Sequence, residues 1–411
     1  MSDLDTMTPR DEAAADRAPH QRLEKCPSCG AHDLKVFHEV RNVPANSCLL
    51  FDSKEEALDC PKSNIALSYC GECDFIFNAD FDQRQIEYSG RYEETQGFSP
   101  TFSKFHRQLA ADMIERHGLH GREVMEIGCG KGEFLVLLSQ LGENRGIGVD
   151  PSALPGRLEG VEGAERVTLI PEYFSPEHCQ SEPDFLCCKM TLEHITDTGD
   201  FISTVRDGLT VEKGTVVFFQ VPEAYRILED CAFEDIYHEH CSYFTPYSLT
   251  RLFQTCGFRV TRIAQEYDDQ YLTIEAVAED ASTPQGDFTE RGNMASLVDS
   301  FPERMAQKQA DWAAMVEEAH ARGERVVLWG SGSKAVSFLT TLGVSDLVDC
   351  VTDINPNRQG YFMPGTGHKI VAPAELGEIQ PGLVIAMNRI YRDEIQADLD
   401  RFGVKCRLEC L

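Results

Sequence analysis

The chain has 411 residues, 42% of them hydrophobic and 9% aromatic, and a formal net charge of -30. That length exceeds one compact core and fits two or three domains, and no apolar run approaches the roughly 20 residues of a membrane span. The charge repels phosphate backbones and no basic patch offsets it, which speaks against a nucleic-acid partner; the lack of a span implies a soluble protein, and cysteines in apolar runs and at metal-ligand spacing imply a cytoplasmic one.

The opening stretch, residues 1–21, is polar and alanine-rich without the apolar middle of a secretory signal, and reads as a disordered tail. Sixteen cysteines do not make a disulfide framework here, because many lie in apolar runs such as Phe185-Leu186-Cys187-Cys188. Four of them have metal-ligand spacing. Cys26-Pro27-Ser28-Cys29 and Cys70-Gly71-Glu72-Cys73 bracket short strand-like pieces in a first module over residues 22–85. Four thiolates suit a closed, structural zinc (Zn2+) site, and the alternative is two unrelated reduced pairs.

Residues 86–280 carry the pattern of a doubly wound α/β domain. A helix from about Leu109 precedes the strand Val124 to Ile127, a glycine-rich turn, the helix Phe134 to Leu141 and the strand Gly146 to Asp150. Strands are further expected at Phe185 to Lys189, Thr215 to Val221, Phe258 to Ala264 and Tyr271 to Ala278. Residues 281–322 read as a linker and connecting helix, with helical periodicity around Met305 to Ala321. A second α/β unit, Rossmann-like, occupies residues 323–411, with the strand Arg325 to Trp329, the turn Gly330-Ser331-Gly332-Ser333-Lys334 and a strand over Leu347 to Asp353.

The first glycine turn places Glu126, Gly128, Gly130 and Gly132 where a strand ends and a helix begins, so a ligand can approach the backbone closely. Asp150 ends the next strand, where a carboxylate can accept ribose hydroxyls. The spacing also fits a dinucleotide site or mere tight packing, but glutamate at the strand end followed by G-x-G-x-G is the pattern of class I methyltransferases. That pattern implies S-adenosylmethionine as methyl donor. Thr191-Leu192-Glu193-His194-Ile195 resembles the segment that lies beside the cofactor in that class, so His194 is expected near the reacting methyl.

The richest titratable run is Glu234-Asp235-Ile236-Tyr237-His238-Glu239-His240-Cys241. Two histidines and a glutamate among apolar residues point to a pocket wall. Adjacent positions on an extended segment face opposite sides, which disfavours one metal held by His238, Glu239 and His240 and favours a general base.

Together the CxxC pairs, the Glu126 to Gly132 turn, Tyr237-His238-Glu239-His240, Asp353-Ile354-Asn355-Pro356-Asn357 and Met363-Pro364-Gly365-Thr366 resemble the nucleotide-sugar C-methyltransferases. The resemblance implies a zinc-binding N-terminal domain, a class I methyltransferase domain and a Rossmann-like C-terminal domain. It also implies a small-molecule substrate, a nucleotide-linked keto-deoxysugar, methylated beside its ketone after proton removal. By the same resemblance His240 is the base, Glu239 and Tyr237 orient it or contact the sugar, His194 stabilises the developing negative charge, and Tyr92 enters the site. Two segments depart from the family: Tyr92-Glu93-Glu94-Thr95-Gln96-Gly97-Phe98-Ser99 and Tyr267-Asp268-Asp269-Gln270-Tyr271. An O- or N-methyltransferase of another small molecule or polysaccharide precursor is the alternative, ahead of a protein or RNA methyltransferase. Gly330 to Lys334 could hold a phosphate, a bare structural role or, as third choice, NAD. The oligomeric state is left open.

Overall fold

The protein is described as a computed structural model covering residues 22–87, 89, 91–280 and 289–411. The tail expected over residues 1–21 lies outside the described residues, as does the stretch 281–288 of the linker. No helix among the described residues is long and apolar enough to cross a membrane.

The N-terminal part contributes β1 (Leu34–Pro44), the short α1 (Lys54–Leu58), β2 (Lys62–Cys70) and β3 (Ile76–Asn78). The strands were expected to be short pieces; β1 and β2 instead run as a long antiparallel ribbon with irregular register between Val36 and His38 and between Val40 and Val43. Such bulges twist a ribbon and shorten its apparent hydrophobic repeat, which hides the strand in sequence.

In the central part follow α2 (Pro100–His117), β4 (Glu123–Ile127), α3 (Glu133–Gly142), β5 (Arg145–Val149), β6 (Val167–Ile170), β7 (Phe185–Lys189) and α4 (Thr198–Asp207). Then come β8 (Val216–Pro222), α5 (Ala224–Glu229), β9 (Ser242–Tyr243), α6 (Pro246–Thr255), β10 (Phe258–Glu266) and β11 (Tyr271–Ala278). Helix α2 begins nine residues before Leu109, at a boundary the sequence marks well. The Ser99 side chain accepts the Phe102 N–H, Pro100 sits in the first turn, and Gly118 ends the helix at φ 62°.

Seven strands form one sheet in the order β10-β11-β8-β7-β4-β5-β6. All are parallel except β11, which runs against both neighbours. The interior strands read as nearly continuous apolar runs because helices cover both faces. Connections leave β4 toward β5 on one side and return to β7 on the other, so the crevice at their carboxyl ends is the switch point where this architecture binds ligands. This is the class I methyltransferase arrangement expected from the glycine turn.

Strand β9 does not join that sheet. It pairs with β3 and completes a four-stranded sheet in the order β1-β2-β3-β9. The module expected over residues 22–85 is therefore not closed in sequence, because its edge is finished by residues just beyond Tyr237 to His240.

Beyond residue 289 lie α7 (Met294–Ala321), β12 (Val326–Trp329), α8 (Ser333–Thr341), β13 (Cys350–Thr352), β14 (Ile370–Val371), α9 (Leu376–Ile379), β15 (Leu383–Ala386), α10 (Arg392–Arg401) and β16 (Arg407–Cys410). The five strands are parallel in the order β14-β13-β12-β15-β16, with a second switch point between β12 and β15. The expected strand over Leu347 to Asp353 contracts to β13, since Ser345–Leu347 form a 3-10 turn.

Helix α7 is longer than the connecting helix expected and has a packing role. Its buried Met294, Val298, Phe301 and Met305 precede buried Val316 and Ala319, and one apolar cluster holds these together with Phe37, Tyr243, Val326 and Phe338. The Phe301 ring meets the Phe37 ring edge-on at 5.5 Å. The helix thus welds the N-terminal sheet to the C-terminal domain. Replacing Phe301, which is fully buried, by alanine is expected to cost about 3–5 kcal/mol, read as a lowered denaturant midpoint; a loss below about 1 kcal/mol would mean this joint is not part of the core.

Candidate active site

The glycine turn sits at the first switch point. Gly128 and Gly130 have φ of 67° and 51°, a region that side chains with a Cβ rarely adopt. A Cβ on Gly128 would lie 2.1 Å from Thr191 Oγ1, and one on Gly130 would lie 2.9 Å from Glu94 Oε1. Both packing and approach to the backbone therefore require glycine. Glu126 is buried beneath the turn, and burial raises its carboxyl to about 7 against the pull of Lys189, whose Nζ stands 3.8 Å away.

Asp150 is tied into the same turn. Its Oδ2 accepts from the Gly130 N–H at 2.9 Å, and its Oδ1 accepts from Ser152 N and Oγ, each at 2.7 Å. Three of the roughly four lone-pair sites of a carboxylate are thereby used. One remains for a ribose hydroxyl without rearrangement, fewer than the pair of acceptor sites the sequence suggested. A glycine floor at positive φ with a carboxylate at the adjacent strand end fits the ribose and methionine ends of S-adenosylmethionine.

Beside this turn opens a cavity of about 250 Å³ between the central and C-terminal domains. Glu94 belongs to both, lining the cavity while its carboxylate lies over Gly130. Tyr237 and His240 form part of the cavity wall, on the loop before β9. The Tyr237 hydroxyl and His240 Nε2 are 2.6 Å apart, and the two ring centroids are 4.0 Å apart. His194, in the 3-10 turn after β7, meets His240 edge-on at 5.0 Å, and its Nδ1 lies 3.0 Å from the Glu239 carbonyl oxygen. Burial lowers His194 to about 4, and burial with the neighbouring His194 holds His240 well below its ordinary value. Both rings are neutral at physiological pH.

Glu239 and Tyr92 stand behind this wall. The Glu239 carboxylate accepts from Asn46 Nδ2 at 3.0 Å, from Ser47 N at 2.8 Å and from the Ser47 hydroxyl. Tyr92 bonds the same carboxylate. Glu239 is thus one peptide from His240 but turned to the N-terminal domain; its carbonyl oxygen, not its carboxylate, reaches the histidines. His238 faces away too, with Nδ1 3.0 Å from the Asn64 carbonyl oxygen. The alternation expected of an extended segment does not hold: His238 and Glu239 form a turn, with the His240 N–H donating to the Tyr237 carbonyl at 3.2 Å, so Tyr237 and His240 line the cavity together while the two residues between them face away.

In the same cavity, two residues before Tyr237, Asp235 is held between two cations. Lys334 Nζ, in the first turn of α8, is 2.8 Å from Asp235 Oδ2, and Arg226 bonds the same oxygen. Burial raises the Asp235 carboxyl, but Lys334 and Arg226 outweigh it and hold the group ionised. The turn after β12 repeats the design of the first: Asp353 Oδ2 accepts from Ser331 N at 2.7 Å and Ser331 Oγ at 2.6 Å. Buried Arg358 donates to the Ser331 carbonyl at 2.9 Å and to the Glu93 carbonyl.

The two departures from the family pattern become interdomain contacts. Glu93 receives Asn355 Nδ2 of the C-terminal domain at 3.1 Å and, within its own domain, Arg157 at 3.3 Å. The Tyr267 hydroxyl bonds that of Tyr391 at 3.0 Å, Asp268 pairs with Arg389 at 2.9 Å, and Asn388 donates to Gln270 at 2.7 Å.

In the N-terminal module the four cysteines converge. Cys26 and Cys73 sulfurs are 3.7 Å apart, as are those of Cys29 and Cys70. A tetrahedron with Zn–S bonds of about 2.3 Å has edges of about 3.8 Å, so the donor set fits zinc closely. The two pairs therefore form one site and are not unrelated. Three features of the cavity had no local signal in sequence: the convergence of Arg226 and Lys334 on Asp235, the buried Arg358, and the fully buried Glu193 beside His194 and His240. A carboxylate in Thr191 to Ile195 flanked by a histidine was the one hint of the last.

Two family models match the chain: a methyltransferase domain over residues 101–263 and a C-methyltransferase C-terminal domain over residues 287–405. The C-methyltransferase NovU of Streptomyces niveus is 26% identical over 399 residues, 91% of either chain. Among solved structures, magnesium protoporphyrin IX methyltransferase (ChlM) of Synechocystis PCC 6803 with bound SAH is 16% identical, with 44% of this chain and 84% of that chain covered and a TM-score of 0.35. A SAM-dependent methyltransferase of Aquifex aeolicus is likewise 16% identical, covering 44% and 94% with a TM-score of 0.34. The seven-stranded sheet, its glycine turn, the two matched domains and the relative that spans nearly the whole length agree: the chain is an S-adenosylmethionine-dependent methyltransferase that carries a C-methyltransferase C-terminal domain.

Proposed function

We propose that the enzyme methylates a carbon beside the ketone of a nucleotide-linked keto-deoxysugar. The observation that carries this reading is the pairing of two chemistries in one cavity. His240 and Tyr237 stand at one wall, while Lys334, Arg226 and the first turn of α8 stand at another. A neutral imidazole serves as a base, and cations at a helix N-terminus serve as a seat for a diphosphate. The phosphates would displace Asp235 from Lys334 and Arg226 or share those cations with it, which supplies local compensation for a chain of net charge -30.

In this reading His240 takes the proton from the carbon next to the ketone, and that carbon becomes nucleophilic as an enolate. His194, edge-on to His240, spends its one N–H on the Glu239 carbonyl oxygen, so as a neutral ring it has no proton left for the developing oxyanion and acts instead by bracing the loop that carries His240. Tyr237 holds the His240 ring through its hydroxyl. Bound S-adenosylmethionine supplies an electrophilic methyl group. Glu239 and Tyr92 act by fixing the loop that carries His240. Cys26, Cys29, Cys70 and Cys73 hold zinc as a structural ion, and the first module, the methyltransferase domain and the C-terminal domain work as zinc-binding, donor-binding and substrate-binding parts.

The test uses solvent exchange. Enzyme with nucleotide-linked keto sugars and S-adenosylhomocysteine in deuterated water is expected to place deuterium on the carbon beside the ketone; an active enzyme that methylates without such exchange would instead point to oxygen or nitrogen as acceptor. His240→Ala is expected to reduce turnover at least about a hundredfold while S-adenosylhomocysteine affinity stays within about twofold. Near-normal turnover would remove His240 from the role of base.

For the metal, elemental analysis of the purified chain is expected to give one zinc per chain, lost in Cys26→Ser together with a drop in melting temperature, because metal binding at such a site is folding free energy. A metal-free chain of unchanged stability would contradict the assignment.

A further inference from the structure

The mechanism above gives the buried carboxyl of Glu193 no task. Glu193 has no solvent exposure, and neither carboxylate oxygen has a hydrogen-bond partner beyond a contact with the residue's own backbone N–H. An ionised carboxylate in such a place is destabilised unless something compensates it. Among the described residues no lysine or arginine pairs with it. The groups facing it are His194 beside it, Cys188 on β7, Tyr271 on β11, and Tyr237, His240 and Cys241 on the loop before β9.

One atom of that set has a matching deficit. His240 Nδ1 is buried and also lacks a hydrogen-bond partner, while Nε2 is engaged by Tyr237 at 2.6 Å. Ligand atoms of Glu193, His194 and His240 all lie within 4.8 Å of one another. A ring nitrogen of His240 thus stands within 4.8 Å of a Glu193 carboxylate oxygen, so bonding Nδ1 to that oxygen calls for a side-chain movement of up to about 2 Å, and catalytic hydrogen bonds are often long before substrate binds.

We infer that Glu193 is the positioning residue of His240 and sets which of its ring nitrogens carries the proton. This rests on the reading of His240 as the base. An ionised Glu193 accepts from Nδ1–H, leaving the Nε2 lone pair to face Tyr237 and the cavity. When the substrate C–H bond breaks, its electron pair stays in the enolate, the proton forms an N–H bond at Nε2, and the resulting imidazolium is compensated by Glu193 through Nδ1–H. A protonated Glu193 does the reverse. Its O–H donates to Nδ1, the ring proton moves to Nε2 and donates to the Tyr237 oxygen, and the base is blocked.

Burial raises the Glu193 carboxyl to about 8. The competent tautomer is therefore present above that pH and lost as pH falls through it. His240 itself stays neutral throughout, since burial lowers it.

The experiment is nitrogen NMR of the full chain with ¹⁵N-labelled histidine, its His240 signals assigned by their loss in His240→Asn. Titrated from pH 6 to 9.5, the wild-type ring is expected to pass from Nε2–H to Nδ1–H near pH 8, whereas Glu193→Gln is expected to show no such transition and to keep S-adenosylhomocysteine affinity within about twofold. In the exchange assay Glu193→Gln should slow deuterium incorporation at least about tenfold and lose the pH dependence near 8. A wild-type His240 with a pH-independent tautomer, or the same transition in Glu193→Gln, would overturn the inference. So would a second equivalent of zinc per chain that disappears in Glu193→Gln, which would make the cluster a metal site. The NMR titration needs no sugar, so a tautomer switch without any deuterium exchange would sink the proposed reaction and leave the Glu193 pairing intact.

Discussion

Everything around His240 depends on the buried carboxylate of Glu239. It collects Asn46, Ser47 and Tyr92 from the N-terminal part, and the Ser47 hydroxyl continues to Ser333 Oγ at 2.7 Å at the start of α8 in the C-terminal domain. Its own carbonyl oxygen meets His194. Burial raises this carboxyl while the bonds from Ser47, Asn46 and Tyr92 pull it back; a carboxylate buried this deeply needs several donors converging on it, so the three domains have one arrangement about the loop. Removing any donor leaves the others around an under-satisfied charge. The loop is further held by β9, which enters the N-terminal sheet immediately after Cys241. One short segment thus presents its base to the cavity because the residue before it is anchored on the opposite side.

This arrangement explains why some of the protein is legible in its sequence and some is not. The glycine turn and the CxxC pairs are local: backbone sign at Gly128 and Gly130 and the reach of four thiolates are settled within a few residues. The helices and interior strands of the central domain follow from periodicity and apolar runs. The role of Glu239 is different in kind, because its partners lie about two hundred residues upstream and nothing in Tyr237 to His240 says which way the carboxylate points. The same holds for Arg226, Lys334 and Asp235, drawn from two domains. Strand β9 is only two residues long and has no repeat of its own to detect. The start of α2, by contrast, was readable from Ser99 and Pro100, since capping chemistry is local.

Net charge gives a misleading picture of the site if taken alone. The chain is strongly acidic, yet Arg226 from the central domain and Lys334 and Arg358 from the C-terminal domain all line the cavity. Acidic partners hold them in place: Asp235 for the first two, and the neighbourhood of Asp353 and Glu93 for the third. Cations so arranged are already ordered, and an anionic ligand meets a prepared site rather than one it must assemble. The entropic cost of fixing long basic side chains is met during folding instead of binding.

The histidines complete the logic. An imidazole in water is partly protonated near neutral pH and so is a base only part of the time. Burial of His194 and His240 against one another removes that loss, because two cations 5.0 Å apart in a dry wall would repel. The same burial creates a new difficulty, since a neutral imidazole has two tautomers and only one exposes its lone pair at the nitrogen beside Tyr237. A hydroxyl such as Tyr237 can either donate or accept and does not choose between them. A choice requires a group on the other nitrogen that can only accept, and an ionised carboxylate is that group. Burial that makes the base neutral therefore also makes its second neighbour decisive.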